Sequence, residues 1–150
     1  MKELFDQISE ECSKNVTKSY STSFSLATKM LSSSIRQDIY NIYGFVRFAD
    51  EIVDSFHNYN KEELFKRFVN DLNHSLKEKI SLNPILNSFQ KTVHKYGIQK
   101  ELIDAFLNSM SSLQRFVSLE ETYLPHSIQN SLITMTVVNA CLMASNKTPT

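Results

Sequence analysis

The stretch IYGFVRFADEIVDSF, residues 42–56, decides the fold of this chain and contains its most unusual pair of charges. The apolar residues of this stretch recur every three or four positions, which is the spacing of an amphipathic α-helix. Asp50 and Asp54 lie four positions apart within the apolar run, so one carboxylate lies a single turn above the other. The pattern therefore predicts a helix that carries paired carboxylates beside its buried face.

This helix is predicted to span about residues 32–56 and to carry two adjacent stripes. The polar side chains follow one another in steps of four and three residues, which places them along one face. The polar stripe consists of Arg36, Tyr40, Tyr43, Arg47, Asp50 and Asp54, and the apolar stripe of Ile35, Ile39, Ile42, Val46, Ala49 and Val53. Because the stripes are adjacent, we expect the polar side chains at the edge of the core.

The two aspartates have two interpretations. On a solvated face, like charges at this spacing cost only about 0.2–0.5 kcal/mol, and a local ion pair between Arg47 and Asp50 would account for them. In a partly buried position, each unpaired carboxylate would cost several kcal/mol, and a divalent cation would remove that cost. Mg²⁺ commonly takes one or two protein carboxylates and leaves positions for phosphate oxygens. The spacing alone favours the solvated face. The flanking arginine and tyrosines make the cation site more plausible, but they do not by themselves make it the preferred interpretation.

A second candidate site lies in the segment SYSTSFSLA, residues 19–27, where Ser21, Ser23 and Phe24 stand at the start of a short predicted helix. Backbone amides and hydroxyl groups at a helix N-terminus form a general anion-binding site. Ordinary N-capping by serine explains the same pattern and is the more frequent role. The residues alone leave both interpretations open.

Helix signals recur through the rest of the chain, without strand-like alternation. Further helices are predicted over about residues 2–18, 61–78 and 84–97, and from 99 to past 110. Capping signals mark three helix starts, at Ser34 with Gln37, at Asn60 with Glu63, and at Asn83 followed by Pro84. Two glycines and three prolines in 150 residues are too few chain breakers for a β-rich fold. We therefore predict an all-α fold.

The composition excludes several classes of protein. Sixteen basic and sixteen acidic residues balance, so no overall field favours nucleic acid as a partner. Cys12 and Cys141 lie far apart and form neither a disulfide framework nor a metal-ligand cluster. The N-terminus lacks the apolar segment of a signal peptide, and no apolar run approaches the roughly 20 residues that span a bilayer. These features predict a soluble, cytoplasmic protein, and they leave peripheral membrane contact and the oligomeric state open.

Taken together, these motifs resemble a known family. The segment YSTSFSLATKMLSSSIRQDIYNIYGFVRFADEIVDSF, residues 20–56, closely resembles the squalene/phytoene synthase family, and in particular the N-terminal part of its phytoene synthase members. The resemblance rests on the S-x-S-F, I-Y-x-I-Y, R-x-A-D and D-x-x-x-D elements. It continues through EKISLNPILNSFQKTVHKYGIQKELIDAFLNSM, residues 78–110, and covers about residues 1–110 in all.

The resemblance implies an isoprenoid-synthase-type helical bundle around an apolar cavity. It implies a Mg²⁺-dependent prenyltransferase that joins two geranylgeranyl diphosphates head to head in carotenoid biosynthesis. On this basis Asp50 and Asp54 bind Mg²⁺, with Mn²⁺ as the alternative ion, and hold a prenyl diphosphate through it. Ser21, Ser23 and Phe24 match the family's flap segment and would bind substrate. Tyr43 and Arg47 match positions near the diphosphate and would be catalytic, with Arg47 also binding substrate.

Two alternatives accompany this assignment. Within the same chemistry, the product would be squalene or dehydrosqualene, made from farnesyl diphosphate. In a different class, the chain would be a non-catalytic helical scaffold or assembly protein that kept the family's first helices.

The sequence after Met110 departs from the family pattern. Family members are longer and carry a second aspartate-rich motif on a later helix, whereas no second D-x-x-x-D follows here. Charged residues become scarce, and only Arg115, Glu120, Glu121 and Lys147 remain. We therefore expect residues 1–110 to form an incomplete family domain and residues 111–150 to form a β-prone or poorly ordered tail, which a frameshift would explain. On this view the chain is truncated and has no synthase activity of its own.

Overall fold

A computed structural model describes residues 1–117 of the chain, and side chains for residues 1–112. Six helices follow one another: α1 (Lys2–Tyr20), α2 (Thr22–Lys29), α3 (Ser33–Asp54), α4 (Lys61–Glu78), α5 (Pro84–Tyr96) and α6 (Lys100–Val117). The described residues contain no strand, so the all-α prediction is confirmed. The predicted tail begins within α6, and its remainder, residues 118–150, lies outside the described residues. None of the six helices combines the length and apolar character needed to cross a bilayer.

Local capping chemistry sets the boundaries of α4 and α5 as predicted. The Asn60 side chain accepts a hydrogen bond from the backbone amide of Glu63, at 3.2 Å. The Asn83 side chain likewise accepts from the first amides of α5, and Pro84 occupies the first turn, where no backbone donor is needed. Gly97 ends α5 with a φ of +60°, a conformation that favours glycine.

The start of α3 agrees with the predicted helix of about residues 32–56, but its capping differs from the predicted box. Its N-cap is Ser32, whose hydroxyl accepts a hydrogen bond from the backbone amide of Ser34. The predicted capping box of Ser34 with Gln37 is therefore wrong. Gln37 instead donates its side-chain amide to the Glu10 carbonyl oxygen and to Asn41 Oδ1, both at 2.9 Å. A tertiary contact with α1 thus competes successfully with the local cap.

The central helix of the bundle is α3, which packs against each of the other five described helices. Its predicted apolar stripe is buried at Ile39, Ile42, Val46, Ala49 and Val53, and half-buried at Ile35. The prediction of this stripe is confirmed. Burial on several sides also means that polar residues of α3 lose water and need partners within the protein.

Phe45 lies at the centre of the apolar core. Its ring stacks on Phe89 of α5, with 3.9 Å between the ring centroids. The same ring lies 5.7 Å from Phe68 of α4 and 5.7 Å from Phe106 of α6. Aromatic pairs of this kind contribute about 0.5–1.5 kcal/mol each beyond simple burial. One side chain of α3 therefore joins three other helices.

The buried face of α1 is made of small polar residues, in contrast to its apolar spacing pattern. Ser9, Ser13 and Thr17 are fully buried, whereas Leu4 and Ile8 are 54% and 53% exposed. Apolar periodicity predicts the helix and part of its packed face, since Cys12 and Val16 are half-buried against the core, but it does not predict the buried hydroxyl residues. Burial of hydroxyl groups is tolerated because each finds a hydrogen-bond acceptor or donor nearby, as with Thr17 and the Ser13 carbonyl at 2.9 Å.

Close approach explains this choice of residues in α1. A Cβ atom at Gly44 of α3 would lie only 3.1 Å from Ser13 Oγ, which is too close without movement of the neighbouring atoms. The Ser13 hydroxyl also lies 2.5 Å from the Ser88 hydroxyl of α5. Small side chains at these three positions let α1, α3 and α5 pack with their backbones near one another.

A buried carboxylate joins α3 to α5. Asp38 is buried and accepts hydrogen bonds from Thr92 Oγ1 at 3.0 Å, from Lys95 Nζ at 2.6 Å and from Tyr96 Oη at 2.8 Å. All three donors lie on α5. A buried carboxylate is stable in such a place because charged and neutral donors replace its water.

Replacing Asp38 with Asn should lower the free energy of unfolding by about 2 kcal/mol, because the amide cannot accept the charge-assisted bonds of three donors. Urea unfolding at neutral pH measures this value. The matched control is Asp71→Asn on the exposed face of α4, which should change stability by less than about 0.5 kcal/mol. Equal effects of the two substitutions would contradict the structural importance of Asp38.

Stability should also fall in alkaline solution through Lys95. Burial lowers the pKa of Lys95, but the hydrogen bond and negative charge of Asp38 outweigh burial, so the pKa lies above its ordinary value of 10.5. The stabilisation is therefore complete below the unfolded-state pKa and is lost as the pH rises through the folded-state pKa. Between about pH 9 and about pH 12, wild-type stability should fall more steeply than that of Lys95→Met. If denaturant titrations show the same fall of stability with pH in wild type and Lys95→Met, the stabilising role of the Lys95–Asp38 contact is contradicted.

Candidate functional site

Most of the polar stripe of α3 lies at the border of the core, as its position beside the apolar stripe predicts, whereas Tyr40 is buried within the core. Asp50 is 5% exposed, and Tyr43, Arg47 and Asp54 are half-buried. The alternative of a solvated acidic face is therefore wrong for Asp50, although the ion pair that it invoked does exist. A carboxylate in this position has lost most of its water and depends on the groups around it.

Arg47 connects two carboxylates of the following turn. Its Nη1 donates to Asp50 Oδ2 at 2.5 Å, and its Nη2 donates to Glu51 Oε2 at 2.6 Å. The spacings of three and four residues bring all three side chains to one face of the helix. Because the side chains of Arg47 and Asp50 are only 19% and 8% exposed, water screens their interaction weakly. The guanidinium group is thus held in one orientation by two anions.

The remaining surface of the Arg47 guanidinium faces α1. Its central carbon lies 4.4 Å from the centroid of the Tyr20 ring, which is a cation–π contact. Its Nε is buried and has no hydrogen-bond partner within the described part of the chain. Buried donors are rarely left unpaired in proteins. An anionic oxygen that reached this Nε would satisfy it, but Arg36 Nε is buried and unpaired in the same way, so the observation is not specific to Arg47.

The short helix α2 brings its N-terminal residues to this region. The Phe24 ring stacks on the Tyr43 ring of α3, with 4.6 Å between centroids and 23° between ring planes. Ser21 is the N-cap of α2, and its hydroxyl accepts a hydrogen bond from the Phe24 amide at 3.2 Å. Ser21 thus performs the ordinary capping role. Ser23 is exposed.

Burial raises the pKa of the Tyr43 phenol above its usual value of 10.0, although the positive charge of Arg47 and the Ser21 hydroxyl act in the opposite direction. Tyr43 is therefore a neutral phenol at physiological pH. In that state its hydroxyl can donate a hydrogen bond, and its ring presents a π face.

Asp50 and Asp54 form the carboxylate pair that a metal ion would require. Asp54 is the last residue of α3 and lies one turn beyond Asp50. Within the described residues, no group of three or more His, Cys, Asp or Glu side chains is arranged to hold a metal ion. Mg²⁺ does not need such a cage, because it commonly binds one or two carboxylates together with water and phosphate oxygens. The hard oxygen donors of this pair, and the unpaired donor on Arg47, fit a Mg²⁺ ion with a diphosphate.

The structure adds two residues to the predicted site, Tyr20 and Glu51, because both contact Arg47. Glu51 follows Arg47 by four residues, so the helical ion-pair rule could have selected it. Tyr20 ends α1 and approaches Arg47 only because α1 packs on α3. No local sequence pattern indicates that contact.

A separate cleft of about 650 Å³ lies between α4 and α6. Phe65, Val69 and Leu107 form its apolar part, and Lys66 and Asp104 are among its polar lining residues. None of the predicted site residues lines this cleft, so the arrangement around Arg47 is a different feature of the surface.

Comparison with known families gives a match to squalene/phytoene synthase over residues 17–126. No curated protein and no solved structure matches the chain significantly. The family match contains the whole of α2 and α3, and it extends beyond Met110, where the resemblance was expected to end. It covers more than half of the chain, and the all-helical fold agrees with it. The chain therefore belongs to the squalene/phytoene synthase family.

Proposed function

We propose that this chain binds a prenyl diphosphate at the α2–α3 site, with Asp50 and Asp54 as the Mg²⁺ ligands and Arg47 as a direct contact of the diphosphate. The burial of Asp50 against Arg47 carries the proposal. Desolvating an acid and a base costs free energy that their attraction does not always recover, so such a pair is weak evidence for stability alone. Membership of a family of prenyl diphosphate enzymes supports a functional reason for the pair.

Arg47 and Tyr43 are the proposed catalytic residues. Negative charge grows on the diphosphate as its bond to the allylic carbon breaks. Arg47 is already oriented by Asp50 and Glu51, so little reorganisation is needed before it stabilises that charge. The neutral phenol of Tyr43 donates a hydrogen bond or presents its ring to the allylic cation. Bound Mg²⁺ would neutralise charge on the phosphate oxygens.

Ser21, Ser23 and Phe24 are the proposed substrate contacts of α2. Phe24 is stacked on Tyr43, so α2 borders the same space as the catalytic residues. The exposed Ser23 hydroxyl remains available to a ligand. Together with Asp50 and Asp54, these residues would contact the substrate from two helices.

We further propose the phytoene-type reaction, the head-to-head condensation of two geranylgeranyl diphosphates in carotenoid biosynthesis. The resemblance of residues 20–56 to phytoene synthases supports this choice of the C20 substrate. Squalene or dehydrosqualene formation from the C15 substrate is the second candidate, and family membership supports it equally. Mg²⁺ is the proposed ion, and Mn²⁺ would suit the same oxygen ligands.

Calorimetric titration of the 150-residue chain with geranylgeranyl and farnesyl thiodiphosphates tests the binding proposal. We expect binding in Mg²⁺ and none in EDTA, with the C20 analogue binding more tightly. Asp50→Asn should weaken binding at least about tenfold, because it removes a charged metal ligand. Asp71→Asn, an exposed aspartate of α4, is the matched control and should bind like wild type.

Absence of Mg²⁺-dependent binding in the wild type would reject the substrate site and favour the scaffold alternative. Binding that Asp50→Asn leaves intact would reject the assignment of this carboxylate. Tighter binding of the C15 analogue would favour the squalene-type reaction.

A second prediction concerns turnover by the 150-residue chain alone. Its sequence contains one D-x-x-x-D motif, at Asp50 and Asp54, whereas the condensation has to hold two diphosphates. We therefore expect no head-to-head C30 or C40 hydrocarbon when the purified chain is incubated with Mg²⁺ and radiolabelled prenyl diphosphates. Detection of either product by chromatography would show that one motif suffices.

A further inference from the structure

Arg36 is the first member of the polar stripe of α3, and the proposed reaction gives it no role. It precedes Arg47 by eleven residues, which corresponds to about 16 Å along the helix. Its Nη2 donates to the Lys29 carbonyl oxygen at 2.9 Å and to the Leu31 carbonyl oxygen at 3.0 Å. Lys29 is the last residue of α2, so Arg36 binds the carboxyl end of that helix.

The end of α2 needs such a partner. The last carbonyl groups of a helix have no donor within it, and they carry partial negative charge that a cation stabilises. The Met30 amide bonds to the Ala27 and Thr28 carbonyl oxygens, and Arg36 supplies the donor for Lys29. A guanidinium group on the neighbouring helix thus completes the C-terminal cap of α2.

Apolar packing holds α2 only weakly. The helix has eight residues, which is too short to be stable by itself in water. Its fully buried residues are Ser25 and Thr28, whereas Leu26 is 57% exposed. The stacking of Phe24 on Tyr43 at one end and the Arg36 hydrogen bond to Lys29 at the other attach α2 to α3, and α2 also packs against α1.

We propose that Arg36 is a positioning residue, which fixes α2 on α3 and thereby holds Ser21 and Phe24 at the site. Removing its side chain removes the contact with α3 at the carboxyl end of α2, and leaves the Phe24 stack and the packing of α2 on α1. The helix then opens more often, while the core formed by α3 and α5 stays folded. The consequence for ligand binding rests on the proposed function, whereas the attachment of α2 does not.

Hydrogen exchange of the full 150-residue chain, resolved by segment, tests the attachment. Arg36→Met removes both hydrogen bonds and should accelerate exchange of the α2 amides roughly tenfold or more, with α3 and α5 unchanged. Arg36→Lys should restore most of the protection, because both bonds come from a single nitrogen that an ammonium group can replace. Arg67→Met on α4 is the matched control, since the Arg67 side chain is largely exposed.

Unchanged exchange of α2 in Arg36→Met would overturn the proposal. So would acceleration that is equal in α2, α3 and α5, because it would show a general structural role. Failure of Arg36→Lys to protect α2 better than Arg36→Met would also overturn it.

Titration with the geranylgeranyl thiodiphosphate in Mg²⁺ completes the test. Arg36→Met should weaken binding several-fold at an unchanged thermal midpoint, and Arg36→Lys should recover affinity. Equal affinity in Arg36→Met and wild type would reject the link from α2 to the site. If the wild type itself does not bind, the proposed function fails, and the exchange data still decide the role of Arg36.

Discussion

The burial of α3 among all the other described helices is the constraint on which this structure depends. A helix surrounded in this way loses water along most of its length, so each polar group on it needs a partner. Asp38 and Asp50 find their partners in different ways. Asp38 takes three donors from α5 and so joins two helices. Asp50 is paired with Arg47 of its own helix, and that arginine keeps an unpaired donor beside the carboxylates. The first arrangement joins two helices, and the second is the one to which the proposed function assigns ligand binding.

The close packing of α1 is linked to this site. Because Ser13 and Gly44 are small, α1 lies near enough to α3 for its last residue, Tyr20, to cover the Arg47 guanidinium. The chain then turns at Ser21 directly into α2, which returns Phe24 to Tyr43. The position of Ser21 and Phe24 therefore follows from contacts at both ends of α2 and from the packing of the helix before it. This arrangement places aromatic rings and one arginine near Asp50, and the proposed function assigns it to a metal-bound diphosphate.

Membership of the squalene/phytoene synthase family gives these contacts their most economical explanation. The stack of Phe24 on Tyr43 and the guanidinium over Tyr20 join three helices and are favourable contacts in themselves. In the proposed reaction they orient the leaving diphosphate and place π faces near the allylic carbon. In the same proposal, Arg36 holds in place the short helix that carries the proposed substrate contacts.

The sequence by itself determined the helical fold, the boundaries of α4 and α5, and the stripe on which Asp50 and Asp54 lie, because helical spacing and capping are local properties. It also placed the chain in its family through motifs confined to one segment. Only the tertiary structure decided that Ser9, Ser13 and Thr17 are the fully buried residues of α1, because small side chains there let the helices approach closely. Only the tertiary structure showed that Tyr20 lies over Arg47 and that Arg36, a member of the polar stripe, caps the end of α2. Contacts between helices depend on how closely the helices pack, and the spacing of residues within one helix does not predict them.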